Sequence, residues 1–238
     1  MKQLLGVVLV CGFATGAFGQ YFSTTPNTSD TFGRGGGGIA ANEYMIDDGT
    51  GETNLAWNAA NGGDLVFLNQ FNVIGGFETL TAINIAWGTG AGGSPATILV
   101  FDDPDNDGSP VDVTPADVLF SLGIVTGAGP TDVFTSYATA PTALGAVGDS
   151  FFIGGYSSTP PAEFPARIDL TTQVGRSWVA GGNTGTVNPL DPNAAALPLS
   201  NLSGFGFNGN FMVRGDAVPE PSTLVLLGLG AVAMLRRR

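Results

Sequence analysis

The sequence predicts an all-β fold, an antiparallel β-sandwich of jelly-roll type, on three observations. Residues 39–217 break into about nine short apolar segments rich in β-branched and aromatic residues. Turn chemistry separates them, in GGSP, DNDGSP, GAGPTD and NPLDPN. No segment there sustains the apolar stripe of period 3.6 that a helix needs. Two facing sheets give the Leu, Val, Phe and Trp residues of such segments a common interior.

The elements follow in chain order. Residues 20–38 (QYFSTTPNTSDTFGRGGGG) are polar and Gly-rich and read as a flexible start with room for one early strand. No Lys-Ser/Thr follows the glycines at 35–38, so they are not a phosphate loop. DLVFLNQFNVI (64–74) has strand composition. TLTAINIAW (79–87) alternates and puts Ile83, Ile85 and Trp87 on one face. Further strands are predicted at 96–103, 117–127, 132–140, 149–158, 165–170, 175–182 and 204–218. PTALGAVGD (141–149) is short enough to hold one helical turn, and the Gly- and Pro-rich stretch 183–200 leaves a less compact ending open.

Composition removes several kinds of chemistry. The chain has no histidine, so Ser-His-Asp triads, His-ligated zinc and the usual neutral-pH base are absent. Between residues 20 and 218 there is no lysine and no cysteine, which excludes Schiff-base, thiol and disulfide chemistry. That body carries 19 acids against Arg34, Arg167, Arg176 and Arg214, a net charge of 4 − 19 = −15. Nucleic acid is therefore not an expected partner, because phosphate binding needs clustered Lys and Arg. Catalysis by carboxylates alone survives, and Glu43, Asp47, Asp48 and Glu52 in NEYMIDDGTGE are the candidates for a glycan hydrolase. Such a local cluster in a Gly-bearing loop is equally ordinary hydrophilic surface. The expectation is a protein that is not an enzyme.

Two interior stretches suggest binding. In FDDPDNDGSPVD the acids Asp103, Asp105 and Asp107 alternate and Gly108 follows, giving D-x-D-x-D-G. Alternate carboxylates in a tight loop can converge on one hard cation, and Ca²⁺ prefers oxygen ligands. An EF-hand would need Glu at the twelfth position, where Thr114 stands; Asp102, Asp112 or Asp117 are the substitutes within reach. A solvated β-turn accounts for the same residues, so both readings stand. In GRSWVAGG, Arg176 and Trp178 lie two apart and thus on one strand face. They could form a sugar platform, although Trp57, Trp87 and Trp178 also suit a core.

The two ends carry targeting features. MKQLLGVVLVCGFATGAFG (1–19) has a basic start, a short apolar run and small residues at Ala17 and Gly19, the pattern of a signal peptide cut after Gly19. Its apolar run is shorter than the about 20 residues that span a bilayer. At the other end, Thr223 to Leu235 is an uncharged apolar run preceded by Pro219-Glu220-Pro221 and followed by Arg236, Arg237 and Arg238. As a transmembrane helix it is short, and its arginines favour the cytoplasmic side. An ordinary tail anchor would have similar hydrophobicity. The order of motif, apolar helix and basic end in residues 218–238 resembles the PEP-CTERM sorting domain of Gram-negative bacteria. That resemblance implies processing by an exosortase, transient contact with the inner membrane, and a place at the cell surface or in the extracellular matrix, among exopolysaccharide and biofilm components. The expected role is structural or adhesive, with exopolysaccharide or matrix proteins as partners. A calcium-stabilised carbohydrate-binding module is the alternative from a different class.

Overall fold

The computed structural model describes residues 22–26 and 43–219, except 59, 91 and 131. Fourteen strands are present in that range, and its only helical elements are four 3₁₀ turns. None of its helices is long and apolar enough to cross a membrane. The strands are β1 (Phe22–Pro26), β2 (Glu43–Tyr44), β3 (Thr53–Trp57), β4 (Gly63–Asn72), β5 (Thr79–Thr89), β6 (Pro95–Asp102) and β7 (Val118–Val125). They continue as β8 (Phe134–Ala143), β9 (Ser150–Thr159), β10 (Phe164–Asp169), β11 (Ser177–Gly182), β12 (Leu197–Asn201), β13 (Asn210–Phe211) and β14 (Val213–Val218).

Strands β3 to β10 form two antiparallel four-stranded layers. One runs β3-β10-β5-β8 and the other β4-β9-β6-β7. The chain changes layer at every connection but β6 to β7, which is the jelly-roll winding. The remaining strands are additions. β11 and β12 extend the second layer beyond β4. β14 takes the edge of β5 from Thr79 to Ile85, leaving only Trp87 and Thr89 to β10, and β2 pairs with β14. β1 lies antiparallel to β3, so the first layer recruits a strand from the Gly-rich start.

The inner strands β4, β6, β9 and β11 of the six-stranded layer are buried on both faces, whereas its edge strand β7 is mostly exposed. Leu65, Phe67 and Phe71 of β4, Ile98 and Val100 of β6, and Phe151 and Ile153 of β9 point into the space between the sheets. Their neighbours Val66, Leu68, Leu99, Phe101 and Phe152 point outward into a second cluster, with Val113, Val187 and Leu199 above them. This is why DLVFLNQF and DSFFI are near-continuous apolar runs, where a half-exposed strand would alternate. On β5 the pairing slips between Leu80 and Ala82, and the bulge lets Leu80 share the inner face with Ile83 and Ile85.

Glycines make room for the inner rings. A methyl at Gly155 would stand 2.9 Å from Phe67 Cζ, and one at Gly181 would stand 2.7 Å from Trp57 Cδ2. Phe67 in turn meets Trp87 edge-on at 6.0 Å, and Tyr44 meets Phe151 edge-on at 5.0 Å, geometries that aromatic quadrupoles favour.

Two expectations are corrected. Residues 141–149 hold no helix: 141–143 complete β8, an edge strand where Pro141 costs no ladder bond, and a tight turn closed by the Asp149 N–H on Ala146 O follows. Residues 183–200 are not a loose ending. Val187, Leu190, Ala195 and Leu199 pack on the outer cluster, and buried Asp64 accepts from the backbone N–H groups of Thr186 and Val187.

Candidate functional site

The acidic loop leaves β6 at Asp102 and crosses the outer face of the six-stranded layer. Several contacts fix it. Gly108, at φ +81°, donates its N–H to Asp103 Oδ2 at 2.8 Å. Asn106, at φ +59°, accepts from the Ser150 N–H at the start of β9. Val113 is buried beneath the loop, and Asn193 donates to the carbonyls of Pro110 and Val113, tying it to the 183–200 segment. One carboxylate oxygen from each of Asp103, Asp105 and Asp112 lies within 4.8 Å of the others. Asp103 is 5% exposed, and its Oδ1 is buried with no hydrogen-bond partner. Asp107 stands outside this group and accepts from the Ser109 N–H at 2.7 Å. Asp112 is brought in by the 3₁₀ turn Pro110–Asp112. Its carboxyl is held above the usual range by loss of solvent and by Asp105, then by Asp103 and Asp107.

The four acids of NEYMIDDGTGE are engaged with the fold. Asp47 is fully buried against Arg214, whose Nε lies 3.1 Å from both carboxylate oxygens and whose Nη2 lies 2.5 Å from Oδ1. Glu43 Oε2 is 3.5 Å from Arg214 Nη1, and the guanidinium stacks 4.2 Å from the Phe134 ring centre. Asp48 accepts from Thr50 and Thr171, and Glu52 accepts from the Leu170 N–H at 2.7 Å. Burial pushes the carboxyls of Glu43, Asp47 and Glu52 upward, against the pull of Arg214 on the first two. For Asp48 the same burial is outweighed by the hydrogen bonds from Thr50 and Thr171, which bring it below its usual value. A second guanidinium, that of Arg167, is buried with Asp132 Oδ1 at 2.7 Å from its Nε and Gly51 O at 2.6 Å from its Nη2.

Arg176 is exposed just before β11, whereas Trp178 is half-buried against the outer cluster. The cation–π contact among the described residues is that of Arg214, so the pair is not brought together as a stacked platform. What sequence reading missed lies beside it. A cleft of about 220 Å³ is lined by Gln173, Gly175, Ser177, Asn201, Ser203, Asn208 and Gly209. Every side chain in it is a neutral amide or hydroxyl. Asn201 holds its rim together, donating to Gly175 O at 2.7 Å and accepting from the N–H and hydroxyl of Ser203. No local signal marks it, because Asn, Ser and Gly from three separate segments each read as turn residues.

The last strand bears on the fate of the chain. β14 pairs with β5 as far as Val218, and Pro219 is the last described residue. Residues 217–238 match the PEP-CTERM protein-sorting motif. The motif marks an exported protein that an exosortase processes, destined for the cell envelope or surface. Glu220, Pro221 and Arg236 to Arg238 fall within the PEP-CTERM match but outside the described residues, as do the signal peptide with Ala17 and Gly19 and the C-terminal apolar run. No curated protein matches this chain. Among solved structures it is similar to the crystal structure of the cysteine protease and lectin-like domains of Cwp84, a surface layer associated protein of Clostridium difficile. The identity there is 13% and the TM-score 0.45, over 75% of this chain and 36% of that one. The similarity thus spans about a third of that protein's length.

Proposed function

We propose that the sandwich is a structural or adhesive component of the cell surface, holding neutral exopolysaccharide without turning it over. It is retained briefly at the inner membrane by its C-terminal apolar run until exosortase cuts at the PEP motif. The observation that carries the glycan reading is the uncharged cleft of Gln173, Ser177, Asn201, Ser203 and Asn208. Amides and hydroxyls supply both donors and acceptors, which suits a ligand that is itself a dense array of hydroxyls. The body's net charge of −15 disfavours polyanions by long-range repulsion and leaves a neutral polymer as the matching partner.

The test is retention of the host's exopolysaccharide by the purified mature protein. Gln173 and Asn208 are exposed, so replacing both with Ala leaves the fold intact. Loss of two hydrogen bonds of about 1 kcal/mol each weakens binding roughly tenfold or more. Unchanged retention by the double variant would remove the cleft from the reading, and release of reducing sugar would replace it with hydrolysis. For the tail, intact mass of the native protein should lack residues 223–238 in cells with exosortase and keep them in cells without it. Glu220→Ala should leave the full-length chain at the inner membrane.

A further inference from the structure

We infer that the loop of residues 103–112 is a calcium site, built from the carboxylates of Asp103, Asp105 and Asp112, independent of the glycan cleft and of the sorting tail. Three facts carry it. The three carboxylates offer oxygens within 4.8 Å of one another. Oxygens sharing one Ca²⁺ at 2.3–2.6 Å lie no more than about 4.6–5.2 Å apart, so the cluster has the size of one coordination sphere. Asp103 is buried with Oδ2 committed to the Gly108 N–H, while Oδ1 has no partner at all. A buried carboxylate oxygen left unpaired is costly, and a cation is the partner that removes the cost.

Among the described residues no basic side chain forms an ion pair with this cluster. Residues 102–117 contain neither Lys nor Arg, Arg167 and Arg214 are committed to Asp132 and Asp47, and exposed Arg176 makes no salt bridge to these acids. The donor set is oxygen only. That disfavours zinc, which takes nitrogen and sulfur, and selects a hard cation. Calcium fits better than magnesium, because it accepts irregular shells of 6–8 oxygens that exposed Asp105 and Asp112 can complete with water. The ion would fasten the loop over Val113 and, through Asn193, the neighbouring segment that seals the outer cluster.

The experiment uses the mature protein with CaCl₂, MgCl₂ or EGTA at constant ionic strength, by thermal melting and titration calorimetry. Calcium at a hundredfold excess over Kd should raise the melting temperature by roughly 5–10 °C for a domain of this size. Asp105→Asn with Asp112→Asn should abolish that rise; both residues are exposed, so the variant still folds. Asp107→Asn should keep the rise, since Asp107 lies outside the cluster. Identical melting in calcium and EGTA with no heat of binding overturns the site. An equal rise with magnesium overturns the choice of calcium, and a full calcium response in the double variant overturns the ligand set.

Discussion

Asp47→Ala tests the buried charge network most directly. Asp47 and Arg214 are 0% and 6% exposed at their side chains and share three close N···O contacts. Removing one partner of such a pair strands the other charge out of water, which costs about 3–5 kcal/mol. Here the guanidinium keeps Glu43 at 3.5 Å and the Phe134 ring at 4.2 Å, so the lower figure applies. The Gly49 N–H also loses its acceptor on Asp47. At about 2–4 °C per kcal/mol for a domain near this size, a loss of about 3 kcal/mol lowers the melting temperature by roughly 6–12 °C. Thermal unfolding followed by tryptophan fluorescence measures it, with Arg214→Met and the double variant closing the cycle. The double variant should lose less than the sum of the two singles, because no stranded guanidinium remains. Because the pair is buried, high salt should not erase the loss. A melting temperature within about 2 °C of the parent, less than a single kcal/mol would produce, would refute the argument.

Three further outcomes are expected. Glu43, Asp47 and Glu52 have folded-state carboxyls raised above their ordinary values of 4.5, 3.8 and 4.5, so the folded state binds protons more tightly there. Their contribution is complete below those values and is lost as pH rises through the folded ones, so melting temperature should climb as pH is lowered from neutrality towards those ordinary values; a steady fall on acidification over that span would contradict it. Asp48 acts oppositely, and only below its ordinary 3.8. Gly154→Ala would drive a methyl into the Phe67 carbonyl across β4 and should cost about 1–3 kcal/mol or more, read as a lower denaturant midpoint. Far-UV circular dichroism of the mature protein should show strand with little helix, and unfolding should be indifferent to reductant, since Cys11 is the chain's one cysteine and precedes Gln20.

The sandwich was legible because its longer strands are apolar runs bounded by Gly, Pro and Asp. β3 escaped because TNLAW is only five residues long and begins with two polar ones. β12 escaped because Pro198 reads as turn, and the strand tolerates it only as an edge. In the acidic loop, the alternation of Asp103 and Asp105 was visible in the sequence. Which later acid joins them stays open there, since it depends on Asp107 turning to the Ser109 N–H and on the Pro110–Asp112 turn bringing Asp112 back. The pairing of Asp47 with Arg214 spans 167 residues and depends on β14 lying between β5 and β2. No window of sequence holds that information.

The place of β14 also sets how closely the processing enzyme must approach. The sorting match begins at Ala217, while Ala217 and Val218 are still paired to Leu80 and Thr79. Three residues extend at most about 10 Å, so the PEP motif has almost no leash. On the proposed cut at the PEP motif, the enzyme would meet the folded end of β14 within that distance. If the tail holds the chain at the inner membrane before the cut, as proposed above, any drag on the body would reach that tail through β14. That strand is paired with β5 from Val213 to Val218 and with β2 at Gly215 and Asp216, so a pull along it would load those hydrogen bonds together in shear and would not peel them one at a time.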